Sequence, residues 1–346
     1  MKKMSVLIIS KDTDYCSAVA KYFRLHYSED VLIVTCSSTS NIAEYIRNNN
    51  ISIILADEEF CGEASAAGGK CAVCRLVENK EEDNEKTVCK YISAPALYNE
   101  LLFIYSKYAA DDNSGFGVSG NLIAFISVNG CGATTLSVAY ARRLAATGKK
   151  VLYLGLDGLS DYCSIFSVEQ GRGLSDIILA LKSKSGNAAL VAKSSTHQGE
   201  VCFIDKCRCA DDICEVDDEE TSLLFSKIIA SDKYDAVVAD ISFANMNVWK
   251  YMAKNAAHIF CVTLNKTSAI SKTNNFIETV KIRDYRNNTD SFTRLSVIVN
   301  RCGSGQPVAQ IGCEKLSFVQ RHSAEDYAGL TSKISMDEAW NEFIKG

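Results

Sequence analysis

The sequence predicts an α/β protein made of two doubly wound domains, and three observations carry that prediction. Residues 122–156 read in succession as strand, glycine loop, helix and strand. Residues 5–108 alternate short apolar runs with amphipathic helical stretches, the pattern of a parallel sheet. Between them, residues 110–120 are small and polar, the composition of a flexible linker. At 346 residues, two domains are the natural count, each long enough to bury its own core. The expected division is a first domain over 1–110, a linker over 111–120 and a second domain over 121–346.

In the first domain, strands are predicted at 5–10, 31–35 and 51–56, with further candidates at 71–77 and 88–92. Helices are predicted at 15–25, 40–48 and 98–108. The third strand ends at Asp57. The acid-rich stretch 79–86 reads as a solvated turn, and 211–220 is similarly acidic.

The second domain opens with the strand 122–127. Its loop follows as Asn129, Gly130, Cys131, Gly132, Ala133, Thr134 and Thr135. A helix is predicted over 135–146, with Leu136, Ala139, Tyr140 and Leu144 on one stripe. Gly148, beside Lys149 and Lys150, suits a helix C-terminus. A strand over 151–156 closes on Asp157. Further on, 234–240 reads as a strand ending at Asp240, and 295–301 as a strand carrying Asn300 and Arg301.

This loop has the frame of a phosphate-binding loop, G-x-x-x-x-G-K-[ST], between a strand and a helix. Ala133 stands where the lysine belongs. The glycines still let backbone N–H groups turn inward, and a helix N-terminus still favours an anion. Nucleotide binding with poor hydrolysis is the expectation. Each residue also has a plain structural reading. The glycines suit a tight turn, Asp157 a helix cap, Asp240 a strand-end carboxylate, and Asn300 a turn cap.

Taken in order, these motifs resemble the MinD/ParA class of deviant Walker ATPases, whose loop reads K-G-G-x-G-K-T-[ST]. On that template Val128 replaces the signature lysine that crosses a dimer interface, and Ala133 replaces the ordinary loop lysine. The resemblance implies a nucleotide site over Asn129, Gly130, Cys131, Gly132, Ala133, Thr134 and Thr135, with ATP and Mg2+ as cofactors. Thr134 matches the metal-ligating threonine and Thr135 the α-phosphate contact. Asp240 falls at the Mg2+-side carboxylate. Asn300, with Arg301 beside it, falls where the class reads adenine. The D-x-D of the first switch appears as Gly155-Leu156-Asp157, so Asp157 is the one candidate catalytic carboxylate. With neither lysine, charge on the transferring phosphoryl group lacks its usual cation, and turnover is expected to be slow or absent.

The first domain resembles a response-regulator receiver, with Asp57 at the phospho-accepting position. It departs from the pattern. Ser10 and Lys11 replace the acidic pair after the first strand, leaving Asp12. Ala94, before Pro95, stands in place of the expected lysine. A degenerate receiver kept as a docking module is the expectation. A receiver-like domain ahead of a MinD/ParA-like domain is the arrangement of the TadZ/CpaE proteins of Tad/Flp pilus assembly. That resemblance implies a homodimer that binds ATP as an assembly ligand. It also implies pilus or secretion machinery as partners, including a motor ATPase, and a place at a cell pole beneath the inner membrane. The alternative is a partitioning-type switch ATPase with genuine turnover.

Composition narrows the choices. The net charge is −5, and no basic block stands out, so nucleic acid is a disfavoured partner. The acidic C-terminus reads as a helix packed by Trp340, Phe343 and Ile344, not a membrane anchor. The N-terminal apolar run is too short for a signal peptide and has no cleavage site, so a cytoplasmic protein is expected. Fifteen cysteines in such a chain suggest reduced thiols. Cys71-x-x-Cys74 and the group Cys202, Cys207, Cys209 and Cys214 have metal-like spacing. They read instead as core thiols, because free cysteine behaves as a small hydrophobe.

Overall fold

The computed structural model describes residues 3–38, 42–69, 71–78, 86–107, 121–128, 130–156, 159–183, 187–303 and 310–344. The chain forms two compact units. The first comprises residues 1–112 together with 185–194, the second residues 113–184 together with 195–346.

The first unit contains β1 (Met4–Ile9), α1 (Thr13–His26), β2 (Val31–Cys36), α2 (Ile42–Asn49), β3 (Ile53–Asp57), α3 (Cys61–Gly68), β4 (Ala72–Val77), β5 (Thr87–Cys89) and α4 (Ala94–Ser106). Its five strands are ordered β2-β1-β3-β4-β5, all parallel. Every parallel step needs a crossover, so helices cover both faces and the central strands are mostly apolar. All six residues of β1 are buried. Phe23, Leu97 and Leu101 pack on one face, Ile42, Ile51 and Ala64 on the other.

Capping sets the helix starts. Asp12 accepts a hydrogen bond from the Tyr15 N–H at 2.9 Å, so α1 begins at Thr13. Ser93 caps α4 through the Ala96 N–H, with Pro95 in the first turn, four residues before the sequence expectation. Helix α3 carries no sequence signal because its packing face is alanine and glycine. A side chain at Gly68 would begin 3.0 Å from Val73.

The chain continues through β6 (Asn121–Ser127), α5 (Ala133–Ala145), β7 (Val151–Gly155), α6 (Tyr162–Phe166) and α7 (Leu174–Ser183). It then re-enters the first unit as α8 (Ala188–Ser194). Leu190 joins the apolar cluster of α4. Asn187 N–H donates to the Ser106 carbonyl at 2.8 Å, and Lys193 Nζ meets Asp30 at 2.9 Å. No periodicity in the sequence marks this return.

The remaining elements are β8 (Thr196–His197), β9 (Cys202–Ile204), α9 (Asp211–Cys214), α10 (Asp218–Ala230), β10 (Ala236–Ser242), α11 (Met246–Asn255), β11 (His258–Leu264), α12 (Thr267–Asn287), β12 (Leu295–Cys302), β13 (Leu316–Gln320), α13 (Tyr327–Ser335) and α14 (Asn341–Ile344). Eight strands order as β13-β12-β11-β6-β10-β7-β9-β8. Every pairing is parallel except the short β8–β9 edge. Phe125, Tyr140, Phe260 and Trp340 share one core cluster. The C-terminal segment is a short 3-10 turn over Glu338–Trp340, capped by Asp337, followed by α14. It is not one continuous helix. Trp340 is fully buried, and its indole N–H donates to the Ile334 carbonyl at 2.7 Å. Phe343 and Ile344 pack against the same cluster. Among the described residues, no helix is long and apolar enough to cross a membrane.

Candidate functional site

The loop between β6 and α5 sits at the carboxyl end of the second sheet's central strands, where open α/β sheets place ligands. Gly132 has φ +91°, a left-handed conformation that glycine adopts at no steric cost. It delivers the chain into α5, whose first helical hydrogen bond runs from Leu136 N–H to the Gly132 carbonyl at 3.0 Å. A Cβ on Gly132 would lie 2.7 Å from Asn300 Nδ2. Asn300 is buried at the end of β12 and donates to the Cys131 carbonyl at 2.8 Å. Its Oδ1 accepts from the Arg301 N–H at 2.8 Å. The asparagine that the resemblance assigns to adenine is thus engaged, through both ends of its amide, with the loop and its own strand.

The loop's other predicted residues are brought together here, except Asn129, which lies outside the described residues. Cys131 and Ala133 are buried. The Cys131 thiol is pushed up by burial, against hydrogen bonds from the Ser127 side chain and the Leu264 backbone and the fields of Arg301 and Lys266. Lys266, the N-cap position of α12, belongs to no recognisable motif of the sequence. Thr134 and Thr135 begin α5. Thr135 Oγ1 accepts from the Tyr327 hydroxyl at 3.4 Å. The Thr134 carbonyl accepts from Ser137 Oγ at 2.9 Å.

Asp240 lies within β10, paired with Phe125 on one side and Gly155 on the other. It is 2% exposed, which is low enough to demand compensation for its charge. Part of that comes from Tyr153, whose hydroxyl donates to Asp240 Oδ2 at 3.4 Å and stands 3.1 Å from Ser137 Oγ. Burial, and then the Asp240 charge, push the Tyr153 hydroxyl well above its ordinary value, so it keeps its proton. Next to Asp240, a side chain at Gly155 would begin 1.8 Å from the ring of Tyr162. Tyr162 is fully buried and edge-on to Tyr153, with centroids 5.4 Å apart. A metal carried by a nucleotide brings phosphate and water oxygens of its own, so Thr134, in the first turn of α5, and the Asp240 carboxylate, which accepts the Tyr153 hydroxyl, are oxygen donors that would suit it. Asp157 lies outside the described residues.

In the first unit, Asp57 is at the end of β3. Ser10 Oγ donates to its Oδ2 at 2.6 Å, and the Lys11 N–H approaches the same oxygen at 3.3 Å. Lys90 Nζ, at the end of β5, reaches Asp57 Oδ1 at 3.3 Å and Ser10 Oγ at 3.1 Å. It lies 5.3 Å from the centre of the Tyr15 ring. This corrects the sequence expectation that the lysine was lost at Ala94. The ammonium comes from Lys90, which stands farther from the proline than the receiver pattern places it.

The cysteine groups separate. Cys202 and Cys207 are buried, whereas Cys209 and Cys214 are exposed. Burial raises the Cys74 thiol to about 11, as expected for a packed apolar thiol.

Residues 1–106 match the family described as TadZ-like, receiver domain. No curated protein matches the sequence. Among solved structures, the chain is similar to a ParA family ATPase from Chlorobium tepidum at 14% identity and TM-score 0.47, covering 66% of this chain and 93% of that one. It is similar to the cell division ATPase MinD of Pyrococcus furiosus at 14% identity and TM-score 0.46, covering 65% and 99%. It is also similar to MinD of Pyrococcus horikoshii, complexed with Mg-ADP, at 14% identity and TM-score 0.45, covering 62% and 94%. The first unit is receiver-like, and the second is an α/β sheet, parallel but for its β8–β9 edge, with a glycine loop between β6 and α5.

Proposed function

We propose that this chain, TadZ-like over its receiver domain, is a nucleotide-binding scaffold of a Tad/Flp-type pilus assembly machine. In this reading its second unit binds ATP and does not turn it over at an enzymatic rate. The match over residues 1–106 supports the pilus context. The observation that carries the loss of turnover is the loop itself. It keeps the left-handed glycine and the helix start but has a buried alanine at 133 and valine at 128.

Bound nucleotide would present its phosphates to the backbone N–H groups of residues 130–135 at the start of α5, which suit anions. Lys266 and Arg301 are the cations whose fields reach this loop. Neither occupies the loop position that contacts the transferring group in the ATPase pattern. Missing one such stabiliser typically costs about 3–4 kcal/mol of barrier. Nucleotide then acts by mass action, stabilising whichever state binds it, and a dimer placed at a cell pole is the assembly we assign to that state. The receiver-like unit, with Asp57 held by Ser10 and Lys90, serves as a docking surface.

Calorimetric titration of the full chain with ATP, alongside phosphate release from the same sample, tests the nucleotide part. Binding without release above background is the expected result. Rapid release would convert the reading to a switch ATPase. A fluorescent fusion in cells assembling such pili tests the scaffold part, and a diffuse signal would sink it.

A further inference from the structure

We infer that Tyr327 is a positioning residue of the nucleotide loop. By giving its hydroxyl proton to Thr135, it leaves the Thr135 hydroxyl to donate to a bound phosphate. The inference rests on the nucleotide-binding reading and adds a residue that no loop motif contains.

A tyrosine hydroxyl has one proton, and here it goes to Thr135 Oγ1 at 3.4 Å. Burial moves the Tyr327 hydroxyl above its ordinary value. The Thr135 hydrogen bond and the Arg142 charge oppose that shift, and the Asp240 charge adds to it, so the proton is present at neutral pH. Thr135 therefore keeps its own proton, and among the described residues no acceptor takes it. A hydroxyl that accepts one hydrogen bond is polarised into a better donor for the next. Thr135 is half-buried in the first turn of α5, where Gly132 provides no side-chain cap. The helix's own bonds begin at the Leu136 N–H, so this turn suits an anion. A phosphate oxygen is an acceptor that fits both the turn and the Thr135 proton, and a charged acceptor makes the stronger bond.

Docking of α13 on α5 does not need the Tyr327 hydroxyl. Arg142 Nη1 donates to the Ala328 carbonyl at 3.0 Å, and Leu330 packs on the main core cluster. Asp326 caps α13 by accepting the Gly329 N–H at 2.6 Å, which fixes the helix start that carries Tyr327. The hydroxyl is thus brought to Thr135 by a helix already anchored elsewhere. The two residues are 192 positions apart in sequence, so no local pattern joins them.

Calorimetric titration of the full chain and its variants with ATP tests this. Tyr327→Phe removes only the hydroxyl and should weaken binding by about threefold to tenfold, the range of one net hydrogen bond. Thr135→Val should weaken it by at least as much, whereas Thr135→Ser, which keeps the hydroxyl, should stay within about twofold of the original. Adding Tyr327→Phe to Thr135→Val should cost less than about twofold more, because the first residue acts through the second. Leu330→Ala loosens α13 without touching either hydroxyl. It should lower the melting temperature yet leave ATP affinity within about twofold. A loss smaller than about threefold from Tyr327→Phe would overturn the inference and leave the nucleotide-binding scaffold standing. So would an equal loss from Leu330→Ala, which would put the effect in packing. A Tyr327→Phe loss that persists beside Thr135→Val would overturn it too, because Tyr327 would then act on another group. If the unaltered chain binds no ATP, the nucleotide reading fails and this inference fails with it.

Discussion

Asn300 Nδ2 lies 2.8 Å from the Cys131 carbonyl and 2.7 Å from where a Cβ on Gly132 would stand. One buried amide therefore holds the loop carbonyl and occupies the volume that makes residue 132 a glycine. Replacing Asn300 with alanine leaves that carbonyl short of a partner and should lower stability by about 1–3 kcal/mol. Gly132→Ala meets both the contact and the positive φ, and strain of this kind costs about 1–3 kcal/mol. Denaturant titration of both variants checks this, and the pair should be non-additive because the two residues touch. Strict additivity would show that Asn300 does not shape the loop.

Lys90 binds Asp57 and Ser10 in a half-buried cluster, with its own side chain 10% exposed. Lys90→Met should destabilise the first unit by about 1–2 kcal/mol, because it leaves Asp57 without its cation. Asp57→Asn in the Lys90→Met background should recover part of that loss. A double-mutant cycle measured by chemical denaturation gives the coupling, and a value near zero would mean the contact is incidental.

Helix α8 is held on the first unit by Leu190 and by the Lys193–Asp30 pair. Leu190→Ala should cost about 2–4 kcal/mol locally. It should also speed amide exchange in α4 (Ala94–Ser106) more than in β10 (Ala236–Ser242). Burial pushes the Asp30 carboxyl up, but hydrogen bonds from Tyr98 and Lys193 and the Lys193 charge outweigh it, so the net shift is downward. A depressed carboxylate stabilises the fold above its unfolded value and loses that stabilisation as pH falls through the folded value. Asp30→Asn should flatten the acid limb below about pH 4. Unchanged exchange in α4 would show that α8 is not seated there.

His258 is pushed down to about 4, first by burial and then by the Lys315 charge. Its ring packs against Phe260 and Phe343, with Nε2 3.0 Å from Ser296 Oγ. Between the folded value and the unfolded value near 6.5, the unfolded chain binds the extra proton. Stability of the second unit should therefore decline as pH falls from about 6.5 towards 4, by about 1–3 kcal/mol. His258→Gln should remove that slope, as read by thermal melts across the range.

By itself the sequence determined the α/β class, the order of strands and helices around Asp57 and Asp240, and the glycine loop with alanine at 133. These are local patterns. Apolar runs, periodicity and glycine spacing are fixed by neighbours within one turn or one strand. Tertiary structure alone decided which distant groups meet. Lys90 reaches Asp57 across the ends of β3 and β5, Asn300 closes on Cys131 from β12, and Tyr162 covers Gly155 from α6. Helix α8 leaves its sequence neighbours to pack on α4 for the same reason. A short alanine-rich helix buries enough apolar surface only where a complementary groove exists, and no local period records where that groove is.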